Sequence, residues 1–141
     1  MALVTFVNDS APYLSAENLN NNFEYLDEKK DTYSTSEVLT DKVWIDNKPI
    51  YRKVLEVGGI TGTNVKAISC PTNISYMITM YGMLIDSSGE EYPLQYNNIY
   101  NLGEDIGAFY YKNRNRIDLK TYADYNIVNG YIIIEYTKTT D

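Results

Sequence analysis

From Tyr33 to Val57 the chain reads as an extended lead-in, a strand, a tight turn and a second strand, and this succession restricts the fold more than any other stretch. Trp44 and Ile45 enter the turn, Asp46-Asn47-Lys48-Pro49 makes it, and the chain leaves it with apolar residues at Ile50, Val54, Leu55 and Val57. Asn47 suits the turn because its short amide tolerates positive φ. Pro49 has no N–H to give to a ladder and belongs at a strand's first position or on an edge. Strand signals then recur every ten to fifteen residues, and strands are expected near 43–46, 49–57, 65–70, 75–86, 91–96, 107–112, 115–121 and 130–138. Gly58-Gly59, Thr61-Gly62-Thr63, Ser87-Ser88-Gly89, Gly103 to Gly107, Lys112 to Asn115 and Asn129-Gly130 are the expected turns.

Three segments carry this reading furthest. In 76–85 one face would present Tyr76, Ile78, Met80 and Leu84 and the other Met77, Tyr81, Met83 and Ile85, both apolar, as in a central strand. Tyr131 to Tyr136 is a second apolar run of strand length. In 115–121, Ile117, Leu119 and Thr121 alternate with Arg116, Asp118 and Lys120, which predicts one buried and one wet face. The expected fold is mainly β: an antiparallel β-sandwich of about eight strands, jelly-roll-like, over 42–141.

The first 31 residues read differently. Leu3 to Val7 is a short strand-like run, and Ser15 then makes a good N-cap, with Glu17 in the first turn and Leu14 and Leu19 placed as a hydrophobic staple. Leu19, Phe23 and Leu26 follow at spacings of four and three, one stripe on a helix of roughly 15 residues. So short a helix with three apolar residues must pack on a partner, either the β domain of the same chain or other copies meeting along that stripe. Leu14, Leu19, Phe23 and Leu26 are therefore the candidate attachment and oligomerisation residues. Polar, turn-prone residues over 32–41 read as a linker.

Charge separates the same units. Of a formal net charge of −7, residues 1–41 carry −6, leaving −1 for the rest of the chain. That balance argues against nucleic-acid binding, which needs clustered Lys and Arg. With one cysteine, Cys70, and no histidine, an intramolecular disulfide and a Cys/His zinc site are both ruled out. No cofactor or metal is expected. Carboxylates are plentiful, but no spacing selects a glycosidase pair, no Ser-x-x-Lys pattern is present and no Gly-rich phosphate loop follows a strand. A catalytic function finds no support in these residues. No apolar run reaches membrane-spanning length, and the first residues lack the basic, then apolar, then small-residue order expected of a secretory signal.

The turn segment resembles one found in tail-fibre and related minor virion proteins of phages that infect Gram-positive and gut bacteria, where a Trp-Ile-Asp-Gly-Lys-Pro-Ile-Tyr-Arg-Lys phrase opens a small β-rich domain. Here Asn47 stands in the place of that glycine. Ala11 to Leu26 is similar, more loosely, to a helix near the start of phage fibre and baseplate proteins, and the two matches together cover about a third of the chain. The resemblance implies a virion protein made in the host cytoplasm, of tail-fibre or receptor-binding type. It would self-associate, a trimer first, and attach to other tail, baseplate or capsid proteins. A capsid head fibre or decoration protein without host recognition is the alternative.

Fifteen tyrosines bear on what the β domain would do. Tyr92, Tyr96, Tyr100, Tyr110 and Tyr111, interleaved with asparagines, are the candidate surface for a host glycan or protein, because aromatic faces offer apolar area at small rotamer cost and amides reach hydroxyls. Each could equally be a strand tyrosine that covers a sheet.

Overall fold

The structure, a computed structural model, describes residues 32–94, 105–122 and 124–141. Eight strands are ordered along it: Val38–Val43 (β1), Pro49–Glu56 (β2), Val65–Ser69 (β3), Ile74–Asp86 (β4), Glu91–Pro93 (β5), Ile106–Tyr111 (β6), Arg116–Thr121 (β7) and Ile127–Lys138 (β8). All pairings are antiparallel, and the strands form a sheet of five in the order β1-β2-β8-β4-β5 and a sheet of three in the order β3-β7-β6. The fold is thus mainly β. The expected N-terminal strand and helix, with Leu14, Leu19, Phe23 and Leu26, lie outside the described residues, as do Tyr96 and Tyr100.

Both sheets turn one face to a single hydrophobic core within the compact unit Tyr33–Asp141. The three-stranded sheet contributes Ile68, Ile106, Ala108, Ile117 and Leu119; the five-stranded sheet contributes Leu55, Ile74, Leu84, Ile132, Ile134 and Tyr136. In β7 the expected alternation is realised, with Ile117, Leu119 and Thr121 fully buried. The long strand β8 is central to its sheet, flanked by β2 and β4 along most of its length.

The first hairpin forms around the expected turn. Asn47 takes φ of 63° and donates its N–H to Trp44 O at 2.9 Å, and Pro49 opens β2 opposite Val43. The strand before it runs over 38–43 rather than 43–46, so it occupies part of the stretch read as a linker. Thr40, Asp41 and Lys42 are polar, but β1 is an edge strand, where such residues are at home. A second correction concerns Asn129-Gly130, which makes no turn: β8 begins at Ile127 and runs through both residues. Gly130 sits opposite Leu84, and a Cβ there would stand 2.5 Å from Leu84 Cδ2, so glycine is required for close packing within the sheet. A left-handed residue comes earlier, just before the strand, where Asn126 has φ of 35°.

The faces of β4 also differ from the simple alternation. Register shifts between Ile74 and Tyr76 and between Met77 and Thr79 put Met77 and Met80 against the core and leave Tyr76 exposed. An extra residue in one strand resets which side chains point inward.

Candidate functional site

The outer face of the three-stranded sheet is assembled from alternate residues. Antiparallel register places Phe109 opposite Asp118, Tyr111 opposite Arg116 and Gly107 opposite Lys120, while Val65, Ala67 and Ser69 of β3 line the other side of β7. Their neighbours Ala108, Ile117 and Leu119 point into the core, which fixes the strands and so the spacing of the outward residues. The result is a shallow cleft of about 390 Å³ lined by Val65, Phe109, Tyr111, Asp118, Lys120 and Tyr122.

Three aromatic rings are presented there: Phe109, Tyr111 and Tyr122 are between 42% and 50% exposed. Phe109 lies along its own strand, its ring over Gly107, where a Cβ would come within 2.9 Å of it. Cations accompany the rings. Lys120 Nζ stands 4.3 Å from the Tyr122 centroid and the Arg114 guanidinium 5.8 Å from that of Tyr111. Asp118 is bound by Arg116 through Nε–Oδ1 at 2.8 Å and Nη2–Oδ2 at 3.0 Å. Among the described residues neither Arg114 nor Lys120 forms an ion pair. The stretch 112–120 therefore carries four cations, Lys112, Arg114, Arg116 and Lys120, against one carboxylate, on a chain whose total is −7.

The tyrosines expected to make one surface are divided by the fold. Tyr111 belongs to the cleft. Tyr110, its neighbour on β6, faces inward; its ring packs on the core and its hydroxyl is buried, with its pKa raised by that burial. Tyr92 lies on the other sheet, where its hydroxyl donates to Asp86 Oδ2 at 3.1 Å and its ring meets Tyr125 edge-on at 4.8 Å. Sequence reading places Asp118 and Lys120 on the wet face of their strand without assigning them to a site, and it does not mark Phe109. Their signal was the period-two pattern of 107–111 facing that of 116–120, which becomes a site only once β6 and β7 are paired.

A second cleft, also about 390 Å³, lies on the outer face of the five-stranded sheet and is lined by Tyr33, Val54, Tyr81, Gly82, Met83, Tyr131 and Ile133. Here the Tyr33 ring covers the Arg52 guanidinium at 4.5 Å, and the Tyr33 and Tyr81 hydroxyls meet at 3.3 Å. That hydrogen bond, with burial, pushes the Tyr81 pKa up to about 12.

Among the described residues neither cleft is lined by a cysteine, serine or threonine nucleophile with a base beside it. Cys70 is buried in the core and its thiol is pushed up to about 11 by that burial, so it is protonated at neutral pH. Among the described residues no three His, Cys, Asp or Glu side chains gather to hold a metal ion, and no helix is long and apolar enough to cross a membrane. No protein-family profile, no curated protein and no solved structure matches this chain.

Proposed function

We propose that the protein is a phage virion structural protein of tail-fibre or receptor-binding type, which attaches to the particle through residues 1–31, self-associates, and contacts host surface glycan or protein through its β domain. The observation that carries this reading is the aromatic and cationic cleft of Phe109, Tyr111, Tyr122 and Lys120 on a rigid sheet. Ring faces pack on the C–H faces of sugars, and the Lys120 ammonium reaches hydroxyl groups, the mixture that an exposed glycan-binding surface needs.

The strand pairing supports a jelly-roll-like form of the fold. β2 pairs with β8 in one sheet and β3 with β7 in the other, two nested antiparallel pairs of the kind a rolled-up hairpin produces.

The test is binding of the full-length protein to host cells and to purified wall polysaccharide, compared with a Phe109→Ala, Tyr111→Ala, Tyr122→Ala variant of unchanged thermal stability. At about 1 kcal/mol per ring, the triple change is expected to weaken binding roughly a hundredfold. Unchanged binding would remove the cleft from the reading. Binding to purified capsids with none to cells or glycan would replace it with a head-fibre or decoration protein.

A further inference from the structure

The outer face of the five-stranded sheet differs in kind from the cleft just described. Val54, Tyr81, Met83, Tyr131 and Ile133 line it, and the phenol hydroxyls are the few polar groups they bring, so a sugar seated there would leave most of its hydroxyls without partners. Yet the face stands open: Tyr33 is 54% exposed, Tyr81 and Tyr131 41% each, and Met83 40%.

Charge narrows what can cover it. Arg52 and Glu135 lie opposite each other on this face and pair at 2.5 Å, with side chains only 3% and 12% exposed, so they cancel locally. Glu56 and Glu91 stand towards its ends, where they stay solvated, and no charge lies in the cleft itself. Residues 42–141 carry only −1, so two copies can bring this neutral apolar face together without repulsion between their β domains. Area agrees. With aromatic side chains of about 150–250 Å² each, these exposures leave roughly 300–400 Å² of surface open. This is the larger part of the apolar share of the roughly 800 Å² that each partner contributes to a standard protein interface.

We infer that this face, centred on Tyr81, Met83 and Tyr131, is an interface with another copy of this chain. The inference rests on the self-association in that reading and not on the glycan cleft, so a loss of assembly and a loss of glycan binding can be told apart. The contact would bury the three tyrosine rings around Met83, leave their hydroxyls at the edge, and keep the Arg52–Glu135 pair beneath a dry seam.

The full-length protein tests this in two ways. Its mass by light scattering over a concentration series is expected to be that of an oligomer, and Met83→Glu, a charge in the seam that costs the isolated fold little at an exposed position, is expected to weaken association at least a hundredfold. Met83→Cys then reports proximity, since the native Cys70 is buried. A short bis-maleimide should link copies through residue 83 and not through residue 65 in a Val65→Cys control on the opposite sheet. A monomer at every concentration overturns the inference. So does an oligomer whose mass ignores Met83→Glu and links no better at 83 than at 65, or a residue-83 thiol shielded from reagent in a monomer, which would mean that the chain's own residues cover the face.

Discussion

At the residue scale the most consequential contact is one between positions about a hundred apart. Glu37, just ahead of β1, accepts a hydrogen bond from the fully buried Tyr136 hydroxyl and pairs with the Lys138 ammonium, which itself stands 3.8 Å from the Tyr51 ring centroid. Burial alone would raise the Glu37 pKa, but the hydrogen bonds from Lys138 and Tyr136 outweigh it and hold the carboxyl below its ordinary value of 4.5. A depressed folded-state pKa means the unfolded chain binds this proton more readily. The contact therefore stabilises the fold above the unfolded-state value and ceases to do so as pH falls through the folded-state value. With its side chain 31% exposed, screening keeps the effect near that of a single hydrogen bond, about 1 kcal/mol. Glu37→Gln is expected to lower Tm by about 5 °C at pH 7, and the gap from the native protein should narrow as the pH falls below 4.5. A gap in thermal unfolding that stays constant over that fall would show that the carboxylate charge is not what matters. Nothing in the local sequence marks Glu37, because its partners arrive only when β8 lies beside β2.

At the element scale, β7 and β4 mark the limits of reading faces from alternation. The strict apolar–polar order of 116–121 assigned each side chain to its side, because a short strand paired on both edges without a bulge keeps a period of two. In β4 the same rule fails after Met77, where the register against β8 shifts. Glycine decides the closest approach in that pair. Gly82 faces Ile132, and a Cβ there would lie 2.0 Å from Tyr131 O, a clash with backbone that no rotamer relieves. Gly82→Ala is expected to destabilise the domain by about 3 kcal/mol or more, read as a shift of the denaturation midpoint at unchanged slope. A loss under about 1 kcal/mol would mean the β4–β8 ladder can open locally to admit a methyl group.

For the whole molecule, the two sheets present unlike surfaces to the outside, one aromatic and cationic, the other apolar and neutral. If the neutral face joins copies and the cationic cleft meets the host, the two properties are linked through copy number. Weak single-site contacts become firm only when several act together. Met83→Glu is therefore expected to reduce attachment to cells by tenfold or more while leaving the affinity for a short soluble glycan within twofold. Equal losses in both measurements would place Met83 in the binding site itself. Much of this molecule was legible before its fold was known. The turn at Asn47 and Pro49, the recurrence of strands, the buried side of β7 and the apolar run in β8 depend on local backbone preference and on the period of side-chain direction, which a chain carries in its residue order. What the order could not convey is which strand lies beside which. Tyr92 and Tyr110 resemble Tyr111 in sequence, yet tertiary packing turns Tyr110 into the core, ties Tyr92 to Asp86, and leaves Tyr111 in the cleft that Phe109 and Tyr122 also line. Residue order set the strands and their wet and dry sides. Only the pairing of those strands, a contest among contacts far apart along the chain, decided which rings reach the surface and what stands next to them.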